Sequence, residues 1–430
     1  MYDLLTRIKL LSLSISCYFL SIFSAAAQEF VSSEFASGNV KSITFEKEGL
    51  KPAYPFVQPW SGEELILHFD VTGNSGGTLW YSLVHCDRDW NRSDLFTSDY
   101  LEGFEENQIT DYLASFNTKV NYTHYTLRLP NNDASFIVSG NYVITVWDQG
   151  EPEIPLLRRR FFVTDGSSSA QALFRRPMKP GTTETHQQAE ITVSTGSLSV
   201  TDPWRQITVT VMQNGRWDRS AKNLTPDFAG NGRVEINSLS DKTLMPGGNE
   251  FRYFDIKTIR QTRQNVRAID FVNGIYQAFL LPSEDREFKP YFSNEDFNGK
   301  YVVAMEESSE PDREADYVMV YFTLPAFEEL RGGSVYVSGD FTGWSYGPEN
   351  RMTWSAARGC YELSLLLKQG WYNYEYAFVP TGRELPEGFH FEGSHWETGN
   401  DYLILTYFRD PTKRYDRLTG VTLVNTRIRQ

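Results

Sequence analysis

The chain is poor in the residues that disulfide frameworks and metal sites require. Its 430 residues include three cysteines and six histidines. A disulfide scaffold is denser in cysteine, and zinc sites usually show histidine and cysteine at short, fixed spacings. Cys86 and Cys360 lie far apart and are predicted to be small buried apolar residues, although one bridge between them is formally possible. We therefore expect no metal and no cofactor.

Motifs of catalysis are missing as well. The sequence contains no G-x-S-x-G, no H-E-x-x-H and no glycine-rich phosphate loop. We predict that the protein is not an enzyme, and we assign no catalytic residue. A hydrolase is the weakest alternative, since His85 or His124 would need a serine and a carboxylate within hydrogen-bond reach.

Positive charge is scarce, and long apolar runs are confined to the start of the chain. The formal net charge of −14 argues against nucleic acid and anionic membrane surfaces as partners. Residues 10–23 are apolar, follow Arg7 and Lys9, and precede an alanine triplet at 25–27. This pattern is typical of a cleavable signal peptide over residues 1–27 and predicts an exported protein without a spanning helix.

Alternation of apolar and polar residues dominates the rest of the chain. Residues 65–70, 79–84 and 142–147 show the period of two that is typical of strands, and helical periodicity is nearly absent. The pattern predicts an all-β protein of tandem immunoglobulin-like β-sandwich domains. Breaks in the pattern near residues 165 and 325 predict domains at 28–165, 166–324 and 325–430.

The stretch from residue 84 to 142 is rich in Asn, Asp, Tyr, Trp and His. Asp87, Asp89 and Asn91 alternate as in the first half of a calcium loop, but Arg92 stands where such a loop turns on glycine. The alternative is an Asx-turn at a strand end, in which a side-chain oxygen accepts nearby backbone N–H groups. We favour the turn, and calcium stays the alternative.

The C-terminal part carries a second pattern. Residues 335–344 and 370–378 resemble the early-set immunoglobulin-like domains that include glycogen-binding modules. The resemblance makes Trp344, Trp371 and Trp396 possible contacts for a ligand or a partner, and a structural or protein-contact role is favoured for Trp344. An exported carbohydrate-binding protein is accordingly the second functional hypothesis.

Residues of the 84–142 stretch together resemble the type 9 secretion system plug protein family, once known only as a domain of unknown function. Segments 392–396 and 407–411 look like the C-terminal end of the same family. We interpret the matching residues of the stretch as a structural and recognition signature: His85, Cys86, Asp87, Trp90, Asn117, Thr118, Tyr122, His124, Tyr125, Gly140 and Asn141.

The resemblance implies a non-enzymatic protein of the periplasm that associates peripherally with the outer membrane. Its partner would be the translocon barrel of the type 9 secretion system, whose periplasmic end it would seal when no substrate is passing. No contact residues can be carried over from the family. Exposed aromatic and arginine side chains are the expected anchors of such a contact.

Overall fold

A computed structural model describes residues 31–73, 77–237 and 241–427. The predicted signal peptide, residues 1–27, lies outside the described residues. Within the described ranges, no helix has the length and apolar character needed to cross a membrane. Strands follow one another with only short helices between them, which confirms the all-β prediction.

The first sandwich packs two sheets around the apolar faces of alternating strands. Its sheets have the orders β1-β12-β11-β5-β7 and β2-β4-β9-β8, with β3 parallel to β12 and a small β6–β10 sheet at one end. Its core includes Phe69, Tyr81 and Phe161 and ends at Val163. The strands are β1 (Phe35–Ala36), β2 (Val40–Lys47), β3 (Phe56–Val57), β4 (Leu65–Thr72), β5 (Leu79–Cys86), β6 (Leu101–Gly103), β7 (Glu106–Ile109), β8 (Asp111–Ala114), β9 (Tyr122–Leu129), β10 (Ala134–Phe136), β11 (Gly140–Asp148) and β12 (Pro155–Val163), with helix α1 (Thr97–Tyr100) after β5.

The second sandwich begins with one sheet of order β13-β14-β18-β17, in which β19 also pairs with β14. Two further strands, β15 and β16, start its facing sheet. The strands are β13 (Ser169–Arg175), β14 (His186–Ser194), β15 (Ile207–Gln213), β16 (Ser220–Leu224), β17 (Phe228–Gly230), β18 (Arg233–Ile236) and β19 (Leu244–Pro246), with helix α2 (Pro203–Gln206) before β15.

The third sandwich follows before the second is complete. Its sheets have the orders β20-β28-β23, with β25 also on β28, and β21-β22-β24-β27-β26. The strands are β20 (Arg252–Asp255), β21 (Val266–Val272), β22 (Ile275–Leu280), β23 (Tyr301–Val303), β24 (Tyr317–Pro325), β25 (Gly333–Ser338), β26 (Thr353–Ser355), β27 (Cys360–Lys368) and β28 (Gly370–Pro380), with helix α3 (Pro311–Glu314) before β24.

The chain then returns to the second sandwich. Strands β29 (Asp401–Arg409) and β30 (Asp416–Asn425) complete its facing sheet in the order β16-β15-β29-β30. Tyr402 and Ile404 of β29 share a core with Ile191 of β14 and Val209 of β15. The third sandwich is therefore an insertion between β19 and β29.

This insertion corrects the predicted boundary between residues 324 and 325. Strand β24, which ends at the boundary, pairs along its length with β27 beyond it. Residues 325–430 therefore do not form a separate domain: strands β25–β28 belong to the third core, and β29–β30 to the second. The break in the strand pattern at Pro325 marks a loop within one sandwich, because turn residues separate strands inside a domain as well as between domains.

The two chain segments that enter and leave the inserted sandwich, which we call the crossings, are in close contact. The backbone N–H of His395 donates to the carbonyl of Gly248 at 2.8 Å, and the Asn400 amide donates to the carbonyl of Gly247 at 2.8 Å. A Cβ atom at Gly247 would lie 1.9 Å from the carbonyl oxygen of His395. Only glycine allows this approach of the two crossings.

Candidate functional site

The loop after β5 forms an Asx-turn. The Asp87 Oδ1 atom accepts the backbone N–H groups of Asp89 and Asn91, each at 2.9 Å, and Oδ2 accepts the Asn91 side-chain amide at 3.1 Å. The Asp89 carboxylate accepts the side-chain amide of Asn223 in the second sandwich at 2.8 Å. The loop is therefore an Asx-turn, and the Asp89 carboxylate holds it against the second sandwich.

His85 is buried just before this turn. Its Nδ1 lies 2.9 Å from the Ser93 hydroxyl and its Nε2 lies 3.3 Å from the Ser139 carbonyl oxygen. Because a carbonyl only accepts, Nε2 carries the proton and Nδ1 accepts from Ser93. Burial lowers the pKa of His85 to about 4. The ring therefore bridges the Ser93 hydroxyl and the Ser139 carbonyl, whereas a catalytic triad has a carboxylate in the place of that carbonyl.

Two other signature residues join the first and second sandwiches. Trp90 is buried, with its ring centroid 5.5 Å from that of Trp217 in an edge-on contact. The Asn141 amide donates to the Asp87 carbonyl at 3.0 Å, and its oxygen accepts the Tyr407 hydroxyl at 2.8 Å. The signature therefore builds an interdomain joint, which we call the first–second joint.

The remaining signature residues of this region are local and structural. Cys86 is buried and free, and burial raises the pKa of its thiol to about 12. Tyr125 belongs to the first core. Asn117 has a φ of 59°, and the Thr118 hydroxyl donates to a carbonyl two residues on. These positions support turns and packing.

The first and third sandwiches meet around a buried carboxylate. Asp70 of β4 is fully buried and accepts three hydrogen bonds of 2.7 Å, from the His124 ring, the Tyr317 hydroxyl and the Lys368 ammonium. Burial lowers the pKa of Lys368, and the nearby Asp70 opposes this. His124 comes from the first sandwich, whereas Tyr317 and Lys368 come from the third. We call this arrangement the first–third joint.

Tyr122 and Asp316 extend the first–third joint on one side. The Tyr122 hydroxyl donates to the Ala315 carbonyl at 2.8 Å, and the Lys368 ammonium lies 4.1 Å from its ring centroid. The Asp316 carboxylate accepts the backbone N–H groups of residues 119–120 at 2.7 and 3.1 Å. Buried polar groups of this kind specify one relative orientation of two domains, because each loses its partners when they move.

On the other side of the joint lies a pair of stacked histidines. His68 Nδ1 is 3.1 Å from His124 Nε2, and the ring centroids are 5.2 Å apart. A cavity of about 20 Å³, lined also by Glu46 and Asp312, opens beside them. Burial lowers the pKa of His68 to about 4. Sequence reasoning missed this cluster because its members come from three separate segments.

A larger cleft of about 740 Å³ runs between the first and third sandwiches. Its walls include Phe35 and Arg159 from the first sandwich and Phe341 and Glu349 from the third. The volume lies within the range of small-molecule sites. Because both sandwiches line the cleft, its width depends on the orientation that the first–third joint maintains.

The second and third sandwiches share a buried arginine. Arg216 reaches the carboxylates of Glu375 at 2.5 Å and Asp218 at 2.7 Å. Its guanidinium lies 4.1 Å from the ring centroid of Trp344. Trp344 thus packs against an interdomain ion pair.

The other two candidate tryptophans are also covered by side chains of the chain itself. Trp371 stacks on Tyr253 with ring centroids 4.9 Å apart. Arg176 lies 5.4 Å from the ring centroid of Trp396. A sugar platform requires an open aromatic face, and one face of each ring is already occupied. The carbohydrate hypothesis gains no support from these positions.

Exposed apolar residues lie at one edge of the first sandwich. Strands β7 and β8 stand at the ends of the two facing sheets as the described residues define them. Tyr112 and Leu113 of β8 are 41% and 51% exposed, and Phe104 before β7 and Phe116 after β8 are 70% and 57% exposed. We call these four residues the apolar edge. Exposed apolar side chains at a sheet edge are a common feature of interaction sites.

Comparisons with known proteins agree with this architecture. Residues 40–165 match the family model described as "Type 9 secretion system plug protein 1st domain". A crystal structure of a hypothetical protein from Parabacteroides merdae ATCC 43184 is 30% identical, with a TM-score of 0.87 over 93% of this chain and 100% of that one. A search of curated proteins gave no match.

The matched range coincides with the first sandwich, whose core ends at Val163, and it contains the whole signature stretch. This match relates the chain to type 9 secretion and to a family that is not an enzyme family. The chain therefore belongs to the same family as the Parabacteroides merdae protein, and its residues 40–165 match the family model for the first domain of type 9 secretion system plug proteins.

Proposed function

We propose that the protein is a periplasmic gating subunit that binds and seals the periplasmic end of the outer-membrane type 9 translocon barrel when no substrate is passing. It reaches the periplasm through a cleavable signal peptide and associates with the outer membrane through the barrel alone. The match of residues 40–165 to the plug-protein first domain supports this proposal.

The observation that carries the proposal is the apolar edge of that same domain. Its four residues expose aromatic and aliphatic surface that a partner can cover, and aromatic residues dominate the energy of many protein interfaces. Glu105, Glu106 and Asp111 lie between them along the chain. Charges at an open edge discourage pairing between copies of one chain, so the edge suits a partner of complementary charge.

The connections among the three sandwiches also favour a sealing role. Each pair of sandwiches is connected by an ion pair: Asp70–Lys368 at 2.7 Å, Glu375–Arg216 at 2.5 Å and Asp165–Arg417 at 2.8 Å. The three contacts close a triangle, so no sandwich is attached at one point only. A subunit that closes a wide aqueous barrel must resist deformation, and this arrangement provides that resistance.

Co-isolation from solubilised outer membrane tests the proposal. The tagged wild-type protein should retain the translocon barrel, and Leu113→Lys should lower the recovered barrel at least about tenfold, because it places a charge in the apolar edge. The matched control is Leu423→Lys on β30, where the replaced leucine has a similar exposure of 47%. This control should recover as much barrel as the wild type.

Permeability supplies a second readout. Cells without the protein should admit large antibiotics that the outer membrane normally excludes, and Leu113→Lys should reproduce this sensitivity while Leu423→Lys restores the barrier. Unchanged permeability in the deletion strain, together with no co-isolated barrel, would refute the proposal.

A further inference from the structure

We propose that His68, His124 and Asp312 bind a divalent transition-metal ion, with zinc as the best fit, at the first–third joint. This inference does not rest on the proposed function. It departs from the expectation from the sequence that the chain has no metal site. The two histidines are distant in the sequence but lie on neighbouring strands.

The distances suit a tetrahedral ion. Two ligand atoms at 2.0–2.1 Å from a tetrahedral zinc lie about 3.3 Å apart. His68 Nδ1 and His124 Nε2 are 3.1 Å apart. An oxygen of Asp312 is within 4.8 Å of the histidine ligand atoms, so a small side-chain movement completes a set of three.

The surroundings orient one ligand in the way metal sites require. Asp70 accepts the Nδ1–H of His124 at 2.7 Å, which leaves Nε2 of that ring as a lone-pair donor. A carboxylate behind a ligating histidine is a recurrent feature of zinc sites, since it sets the tautomer and increases the basicity of the ligand. Asp70 therefore serves as a positioning residue.

Local charges are compatible with a cation. The Lys368 ammonium is paired with Asp70, and the Asp312 carboxylate adds negative charge to the site. The exposed Lys51 also lines the cavity, and its side chain can extend into solvent. The cavity of about 20 Å³ has room for about one water molecule, which would complete a four-coordinate zinc.

A bound ion would link two sandwiches directly. His68 lies on β4 and His124 on β9 of the first sandwich, whereas Asp312 lies in α3 of the third. The ion would thus add a ligand bond across the first–third joint and stabilise the orientation that sets the width of the cleft.

Metal titration of the exported chain tests the inference. Protein without a polyhistidine tag, stripped with a chelator, should bind one equivalent of Zn²⁺ by calorimetry. Co²⁺ should give the intense visible absorption of a tetrahedral site. Zinc at about one hundred times its Kd should raise Tm by roughly 3 °C, and Mg²⁺ should have no effect, because histidine ligands favour zinc.

Variants locate the site. His68→Ala and the more conservative Asp312→Asn should each weaken zinc binding at least about tenfold and abolish the cobalt absorption. His390→Asn, which alters a histidine elsewhere in the third sandwich, is the matched control and should bind like the wild type. Asp312→Asn should fold, because the Lys368 ammonium bonds the backbone carbonyl of residue 312 rather than its side chain. Circular dichroism of this variant verifies its fold. Absence of zinc binding in the wild type, or equal binding by a folded Asp312→Asn and the wild type, would overturn the inference.

Discussion

Replacing Lys368 by methionine provides the sharpest test of how the first and third sandwiches are joined. Lys368 is 1% exposed, and its ammonium is 2.7 Å from the fully buried Asp70 carboxylate. Methionine preserves the length of the side chain but removes its charge. The Asp70 carboxylate would keep its bonds from His124 and Tyr317 and lose its cation.

The expected cost is about 3–5 kcal/mol of unfolding free energy, because removing one partner of a buried pair leaves an uncompensated charge. Because His124 and Tyr317 still donate hydrogen bonds to the Asp70 carboxylate, the cost should lie near the lower end of that range. Urea unfolding followed by circular dichroism measures the free energy. Arg358→Met is the control: it breaks the exposed Arg358–Glu362 pair and should cost less than about 0.5 kcal/mol.

The double variant Asp70→Asn/Lys368→Met separates charge from packing. It removes both charges together, so it should be more stable than Lys368→Met alone. A Lys368→Met protein within about 0.5 kcal/mol of the wild type would refute the reasoning. A double variant whose loss of unfolding free energy equals the sum of the losses in Asp70→Asn and Lys368→Met would also refute it.

Three further predictions concern the signature stretch. Lowering the pH from 6.5 to 4 should cost roughly 3 kcal/mol through His85, because its folded pKa of about 4 lies below its ordinary 6.5 and the unfolded chain binds more protons in this window. The contribution of neutral His85 to the unfolding free energy is complete above pH 6.5 and is lost as the pH falls through 4. Urea unfolding midpoints of His85→Gln should therefore depend less on pH than those of the wild type. Gly140→Ala should destabilise by about 1–3 kcal/mol in the same assay, since its Cβ would lie 2.2 Å from His85 Nε2, whereas Gly38→Ala, which faces open space, should change little. In a Cys360→Ser variant of residues 28–430, Cys86 should react with an aromatic disulfide reagent only after denaturation, because burial raises its thiol pKa to about 12.

Local chemistry was readable from the sequence wherever neighbouring residues decide it. Asp87 and Asn91 form the Asx-turn that their spacing favours. Tyr372, Tyr374 and Tyr376, which a period of two places on one face of β28, all lie in the third core. Such features depend on residues a few positions apart, and backbone geometry links those directly.

Long-range pairing was not readable in this way. Strand β15 pairs with β29, so that Val209 lies opposite Thr406, and no local signal relates the two strands. The histidine cluster was missed for the same reason, since β4 must lie beside β9 before His68 and His124 can meet. The sequence does contain one sign of the histidine cluster. His68 and Asp70 are two residues apart, which places a histidine and an acid on the same face of one strand.

The inserted third sandwich has a consequence for the order in which the chain folds. While only the chain up to β19 has emerged into the compartment where it folds, strand β15 still lacks its neighbour β29, and the second core lacks Tyr402 and Ile404. The unpaired edge of β15 must wait until the whole third sandwich has emerged, and such an edge is prone to wrong pairing. The second sandwich therefore closes only after the last strands have arrived, so a truncated chain would leave it open.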